Sequence, residues 1–240
     1  MKILRNVLLI ILAIVLISGI SLYIAGDNMY KKALDGETLE DVIAEVMSDP
    51  SYVKYEDLPQ NYINAVIAVE DHRFRDHGAI DLIAIGRAIY VNVTTFSLRE
   101  GGSTITQQVA KNIFYINETN PVTRKSAEII TAFDLENKYT KNEILELYVN
   151  TIYFGDGYYG IEEACQGYLG KSATEMSLAD CTMMAGIPNA PSVYAPTVNP
   201  ELTRSRQEKV ISDMVENSYL SEQDKNDLIN KLDKYYENFE

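Results

Sequence analysis

Residues 6–26 contain no charged side chain, and at 1.5 Å per residue a helix over this run can cross a hydrocarbon core roughly 30 Å thick. One transmembrane helix is predicted there, so residues 1–26 form a cytoplasmic tip and an anchor whose role is tethering. Lys2 and Arg5 precede the run and Asp27 follows it; the positive-inside bias places the N-terminus in the cytoplasm and the rest of the chain outside. A cleaved signal peptide is the rival reading, but its apolar core is usually about 7–15 residues and no clear small-x-small site follows this one. Residues 27–54 read as a juxtamembrane stalk, with an amphipathic piece at Leu39–Met47 and a turn at Ser48-Asp49-Pro50. Further on, apolar residues recur at helical spacing. Thr140-x-x-Glu143, Ser177-x-x-Asp180 and Ser221-x-x-Asp224 each fit a capping box. No alternating strand pattern stands out. Two glycine-rich interruptions, Glu100-Gly101-Gly102-Ser103 and Phe154-Gly155-Asp156-Gly157, read as shaped loops between helices. The pattern predicts an all-α domain over residues 55–240 that ends in a polar helix pair after Pro200.

Composition adds little, since 46% apolar and 23% charged residues is an ordinary globular balance. The net charge of -14 is more telling: it argues against nucleic acid as a partner, which would call for a basic stripe. It also gives no hold on an anionic membrane, so attachment must rest on the helix. Cys165 and Cys181 are the only cysteines. They read as two buried apolar residues on helices, with a disulfide as the alternative that spacing does not decide.

Chemistry concentrates in three blocks. In VIAVEDHRFRDHGAID, residues 66–81, an apolar helical approach ends in Glu70 and Asp71. A carboxyl at the lip of such a helix can have its pKa raised towards that of a general base, although a solvated helix end reads the same way in isolation. His72 and His77 are poorly spaced for zinc on one helical face, and no HExxH occurs. In GGSTITQQVAKNIF, residues 101–114, the glycine pair allows a tight turn before a helix beginning near Ser103 or Thr104. Ile105, Val109 and Ile113 form its apolar stripe, leaving Thr104, Gln108 and Lys111 on another face with Gln107 beside them. Such an N-terminus can accept phosphate. In RKSAE, residues 124–128, two cations and a carboxylate occupy one turn of a helix for which Thr123 is the candidate N-cap. They could grip a pyrophosphate, or Arg124 and Glu128 could simply pair.

Taken in order, these blocks resemble the glycosyltransferase family 51 domain, the transglycosylase module of class A penicillin-binding proteins and of monofunctional peptidoglycan glycosyltransferases. EDHRF with His77 looks like the first motif of that family. GGSTITQQVAKN is similar to the second almost letter for letter, RKSAE to the third, and ILELYVNTIYFGDGYYGIEEA to the fourth. Departures are Ala79 where a glycine is usual, Leu169 where phenylalanine is usual, and no arginine between Lys111 and Arg124. No KTG or SDN occurs, and the one S-x-x-K begins at Ser51 in the stalk, so no peptide cross-linking is expected.

The resemblance implies a lysozyme-like helical fold beside a smaller membrane-associated subdomain. It implies lipid II and the growing glycan chain as substrates, the membrane and other cell wall synthesis proteins as partners, and Mg²⁺ or Mn²⁺ as the one candidate cofactor. Glu70 is expected as the catalytic base, and Glu128 as a second catalytic carboxylate that orients the cations or holds the metal. Asp71, Phe74, His77, Gly102, Ser103, Thr104, Gln107, Gln108, Lys111, Asn112, Arg124, Lys125 and Glu143 are the expected substrate-binding set. Glu143 also has a sufficient structural role in its capping box. Two alternatives are a lysozyme-like peptidoglycan hydrolase, which has no need of a phosphate-binding face, and a catalytically idle membrane partner, which would have lost these side chains.

Overall fold

The computed structural model describes residues 2–95, 101–237 and 239; Glu100, the first residue of one predicted loop, lies outside them. Along the chain come α1 (Lys2–Leu34), α2 (Leu39–Met47), α3 (Gln60–Glu70), α4 (Leu82–Thr95), α5 (Ile105–Phe114), α6 (Pro121–Lys138) and α7 (Lys141–Thr151). A hairpin of β1 (Tyr153–Gly155) and β2 (Tyr158–Tyr159) leads to α8 (Ile161–Leu169), α9 (Leu178–Gly186), α10 (Pro191–Tyr194), α11 (Pro200–Glu216) and α12 (Glu222–Tyr236). The all-α expectation holds apart from that antiparallel hairpin. Its strands are too short for a period of two to be visible in sequence.

Helix α3 is apolar nearly all round, with Tyr62, Ile63, Ala65, Val66, Ile67 and Ala68 buried. A helix of that kind belongs at the centre of a domain; α9 and α11 pack on it. Helix α5 lies on α6 and α7. The three predicted capping boxes at Thr140, Ser177 and Ser221 all form. The N-cap of α6 is Asn120 and not Thr123: Asn120 Oδ1 accepts from the Val122 and Thr123 amides at 3.1 and 3.2 Å. Pro121, whose fixed φ suits the first helical position, follows it. Helix α12 closes the far side. Leu228, Leu232 and Tyr236 are buried, and Tyr236 Oη donates to Gln207 Oε1 at 2.8 Å.

Most of α1 is exposed and apolar, and by length and composition it can cross a membrane. Its last turns do more than tether, because Gly26 and Tyr30 are buried where α1 packs on α6. The segment read as a stalk also lies on the domain. Leu39 and Ile43 are buried in the core, and Val53 is pinned by Asn150, whose Oδ1 accepts from Val53 N and whose Nδ2 donates to Val53 O, both at 2.8 Å. Helix α4 is the opposite case. Only Ala88 is buried, while Leu82 and Tyr90 are 77% and 70% exposed.

Cys165 and Cys181 are free and buried, which leaves no disulfide between them. Burial pushes both thiols up, that of Cys181 to about 12. Neither is therefore expected to react with a thiol reagent in the native protein, and both should react after denaturation. Rapid labelling of the folded chain would show that the α8–α9 core is looser than this packing.

Candidate active site

Glu70 is the last residue of α3, where the helix delivers its side chain from the core to a cavity. Its Oε2 accepts from Gln108 Nε2 at 3.0 Å. Its Oε1 is sealed from solvent and has no hydrogen-bond partner. Burial pushes this carboxyl above the usual range; the Gln108 bond and the charge of Arg206 pull it down, and Asp71 adds to the rise. The adjoining polar cavity, of about 550 Å³, is lined by Glu70, His72, Arg87, Arg206 and Lys209 among others.

The loop after Glu70 is clipped to the start of α5. Asp71 Oδ1 meets His77 Nε2 at 2.8 Å, and its Oδ2 accepts from Ile105 N at 3.1 Å. Thr104 Oγ1 and Gln107 Nε2 both donate to Ala79 O, at 3.1 and 2.9 Å, and Thr104 Oγ1 also caps α5 by accepting from Gln107 N. Phe74 is fully buried in the core, with Lys141 Nζ 4.3 Å from its ring centroid. Asp71, Phe74, His77, Thr104 and Gln107 thus build the frame that holds Glu70 opposite Gln108. Phe74 has no surface left for a ligand in this conformation.

The cations stand beyond the other end of the loop. Glu128 is 3% exposed; its Oε1 accepts from Arg124 Nη1 at 2.8 Å and its Oε2 from Lys125 Nζ at 3.0 Å. Lys125 Nζ also donates to Ser103 Oγ at 2.9 Å, which joins the start of α5 to α6. Gly102 lets this loop approach α4, since a Cβ there would stand 3.3 Å from Ile85 Cα. Lys111 is exposed one turn beyond Gln108, and Asn112 beside it is half-buried. Helix α5 thus carries Gln108, which holds Glu70, and Lys111, while Ser103 just before its cap meets Lys125. A family model described as Transglycosylase matches residues 35–215.

The chain belongs to the transglycosylase family. Penicillin-binding protein 1A of Neisseria gonorrhoeae is 42% identical over 188 residues, which make up 78% of this chain and 23% of that protein. The chain thus spans about a quarter of the length of those relatives. A Cupriavidus necator protein named "Putative transglycosylase" is 42% identical over 176 residues, 73% of this chain and 75% of that one. The crystal structure of penicillin-binding protein 1A from Haemophilus influenzae aligns with 74% of this chain and 17% of its own, at 24% identity and a TM-score of 0.45. In kind, then, this is a transglycosylase domain.

Three cations lining the cavity beside Glu70 were not singled out from sequence: Arg87, Arg206 and Lys209. Each carried a signal. Arg87 is the one charge in α4, and Arg206 and Lys209 are three apart on α11, on a face distinct from buried Gln207, Val210, Ile211 and Met214. Glu143 lies in its capping box, with Oε2 accepting from Thr140 N and Oγ1, both at 2.7 Å, and it is exposed.

These positions separate two substitutions. Glu128→Gln removes the buried charge shared by Arg124 and Lys125 and is expected to lower turnover at least about tenfold by letting both cations drift. Glu143→Gln keeps an acceptor at the cap and should cost less than about 1 kcal/mol of stability with turnover within about tenfold of the parent. Turnover and melting temperature measured on both would reverse this assignment if Glu143→Gln were folded and inactive.

Proposed function

We propose that this domain polymerises lipid II into glycan strands on the outer face of the cytoplasmic membrane, by inverting glycosyl transfer with release of undecaprenyl pyrophosphate. The reading is supported by one observation: Glu70, a carboxyl with one oxygen sealed and unpartnered, is held by Gln108 of α5, and the cations gathered on Glu128 reach Ser103 just before that helix. The 4-hydroxyl of the acceptor sugar attacks the anomeric carbon of the lipid-linked donor chain. Its proton passes to Glu70 as the new C–O bond forms, and the bond to the pyrophosphate oxygen breaks with its electron pair leaving on that oxygen. Burial makes Glu70 a stronger base than an exposed glutamate, and Gln108 fixes one of its oxygens. Charge growing on the leaving group is met by Lys111, Arg124 and Lys125. A hydrolase acting on finished glycan would have no use for that second cluster.

Orientation follows from the anchor, with Lys2 and Arg5 on the cytoplasmic side. The exposed apolar face of α4, with Leu82, Ile83, Ile89, Tyr90 and Val93, suits insertion into the headgroup layer of the same leaflet. Other cell wall synthesis proteins are natural partners of such an enzyme. The Mg²⁺ or Mn²⁺ implied by resemblance finds no ready ligands. Among the described residues the one clustered donor set is Asp71, His77 and Asp81. Its members are already spent: Asp71 and His77 on each other, Asp71 also on Ile105 N, and Asp81 on Arg73 and the amides of Ile83 and Ala84. Both oxygens of Glu128 are likewise taken. No step is assigned to a metal.

A raised carboxyl pKa contributes stability that is complete below the ordinary glutamate range and is lost as pH rises through the raised value. At neutral pH, Glu70→Gln is therefore expected to melt no lower than the parent, while turnover of lipid II falls at least about 10²-fold. The acid limb of the parent pH–rate profile should lie above that of an ordinary glutamate. Lipid II polymerisation followed on gels, beside thermal melts, checks both statements; turnover near the parent level in Glu70→Gln would remove Glu70 as the base.

A further inference from the structure

The last turns of α1 meet α6 at closest approach. A Cβ added at Gly26 would stand 2.5 Å from Ser126 Oγ and 2.9 Å from the Ala127 backbone nitrogen, so only glycine lets the two helices come this near. Ser126 Oγ donates to Leu22 O at 2.8 Å. Further along, Tyr30 Oη donates to Asp134 Oδ2 at 2.6 Å, and the Tyr30 ring stands edge-on to Phe114 of α5. Contacts spread over residues 22, 26 and 30 fix both the rotation and the register of α1 on α6. Ser126 belongs to the same turn as Arg124, Lys125 and Glu128. By contrast, Gly19 on the same helix has nothing within 4 Å.

We propose that the Gly26–Ser126 crossing is a depth gauge, through which the anchor holds Arg124 and Lys125 at one height above the bilayer, where the pyrophosphate of a membrane-embedded substrate lies; this rests on the glycosyl-transfer reading above. Gly26, Ser126 and Tyr30 are then positioning residues. They touch no substrate and act through α6. A soluble substrate brings its pyrophosphate to the cations at any height, so the crossing matters only when the substrate sits in a membrane.

The test uses the full chain in vesicles. The sequence has no tryptophan, so Val122→Trp, at a 57% exposed site on the first turn of α6, gives a single reporter whose depth is read by brominated-lipid quenching. In that background Gly26→Leu is expected to shift the quenching profile and to lower polymerisation of vesicle-embedded lipid II about tenfold, with turnover of a short-chain, water-soluble lipid II analogue within about twofold of the parent. Gly19→Leu should change none of the three. An unshifted profile, equal loss on both substrates, or the same effects from Gly19→Leu would each overturn the proposal. If the unsubstituted chain makes no polymer although the protein is folded, the glycosyl-transfer reading fails; the depth profile then decides the gauge on its own, a shift supporting it and no shift overturning it.

Discussion

Taking a carboxylate out of water costs several kcal/mol unless a cation or a proton compensates it, and buried Glu128 and half-buried Glu70, one of whose oxygens is sealed from solvent, meet that cost in opposite ways. Glu128 is forked by Arg124 and Lys125, one cation on each oxygen. Glu70 has a neutral amide on one oxygen and nothing on the other, so its protonated form gains. The same solvent exclusion thus meets a carboxyl gripped by two cations in one place and a carboxyl whose neutral form is favoured in the other. A reaction that must remove a proton at one atom and stabilise an anion at another needs both.

What keeps the two ends in register is the clip between the Glu70 loop and the start of α5. Asp71 has one oxygen on a histidine and the other on a backbone amide, and Thr104 and Gln107 share one carbonyl. Because these groups are buried, losing one partner strands the other without water, so the frame resists distortion more than its few bonds suggest. The lysine that reaches Ser103 extends the frame to α6.

Much of this could be read along the chain. The helical spacing, the three capping boxes and the bounds of the Leu39–Met47 helix follow from local chemistry, and the apolar run before Glu70 already suggested a buried carboxyl. What stayed hidden depended on contacts between distant residues. Phe74 sits among polar motif residues, and nothing local says that it turns inwards. Asn120 and Thr123 both suit an N-cap, and Pro121 was the cue that separates them. Gly26 looked like the end of an apolar run; that it marks a helix crossing depends on Ser126, a hundred residues away in the sequence. The pairing state of the two cysteines depended on packing in the same way.

The last helix carries a consequence of its own. The family match ends at residue 215, yet Gln207, which is fully buried, uses its amide on Ala179 O and Thr182 Oγ1 and leaves its carbonyl oxygen to Tyr236 of α12. Asp180, buried beside it in the fold, takes Tyr235 Oη at 2.7 Å. Cut at the family boundary, the chain would keep every motif and lose the hydroxyls that close two of its buried polar networks. The stretch covered by the family match thus ends before the hydroxyls that close this core.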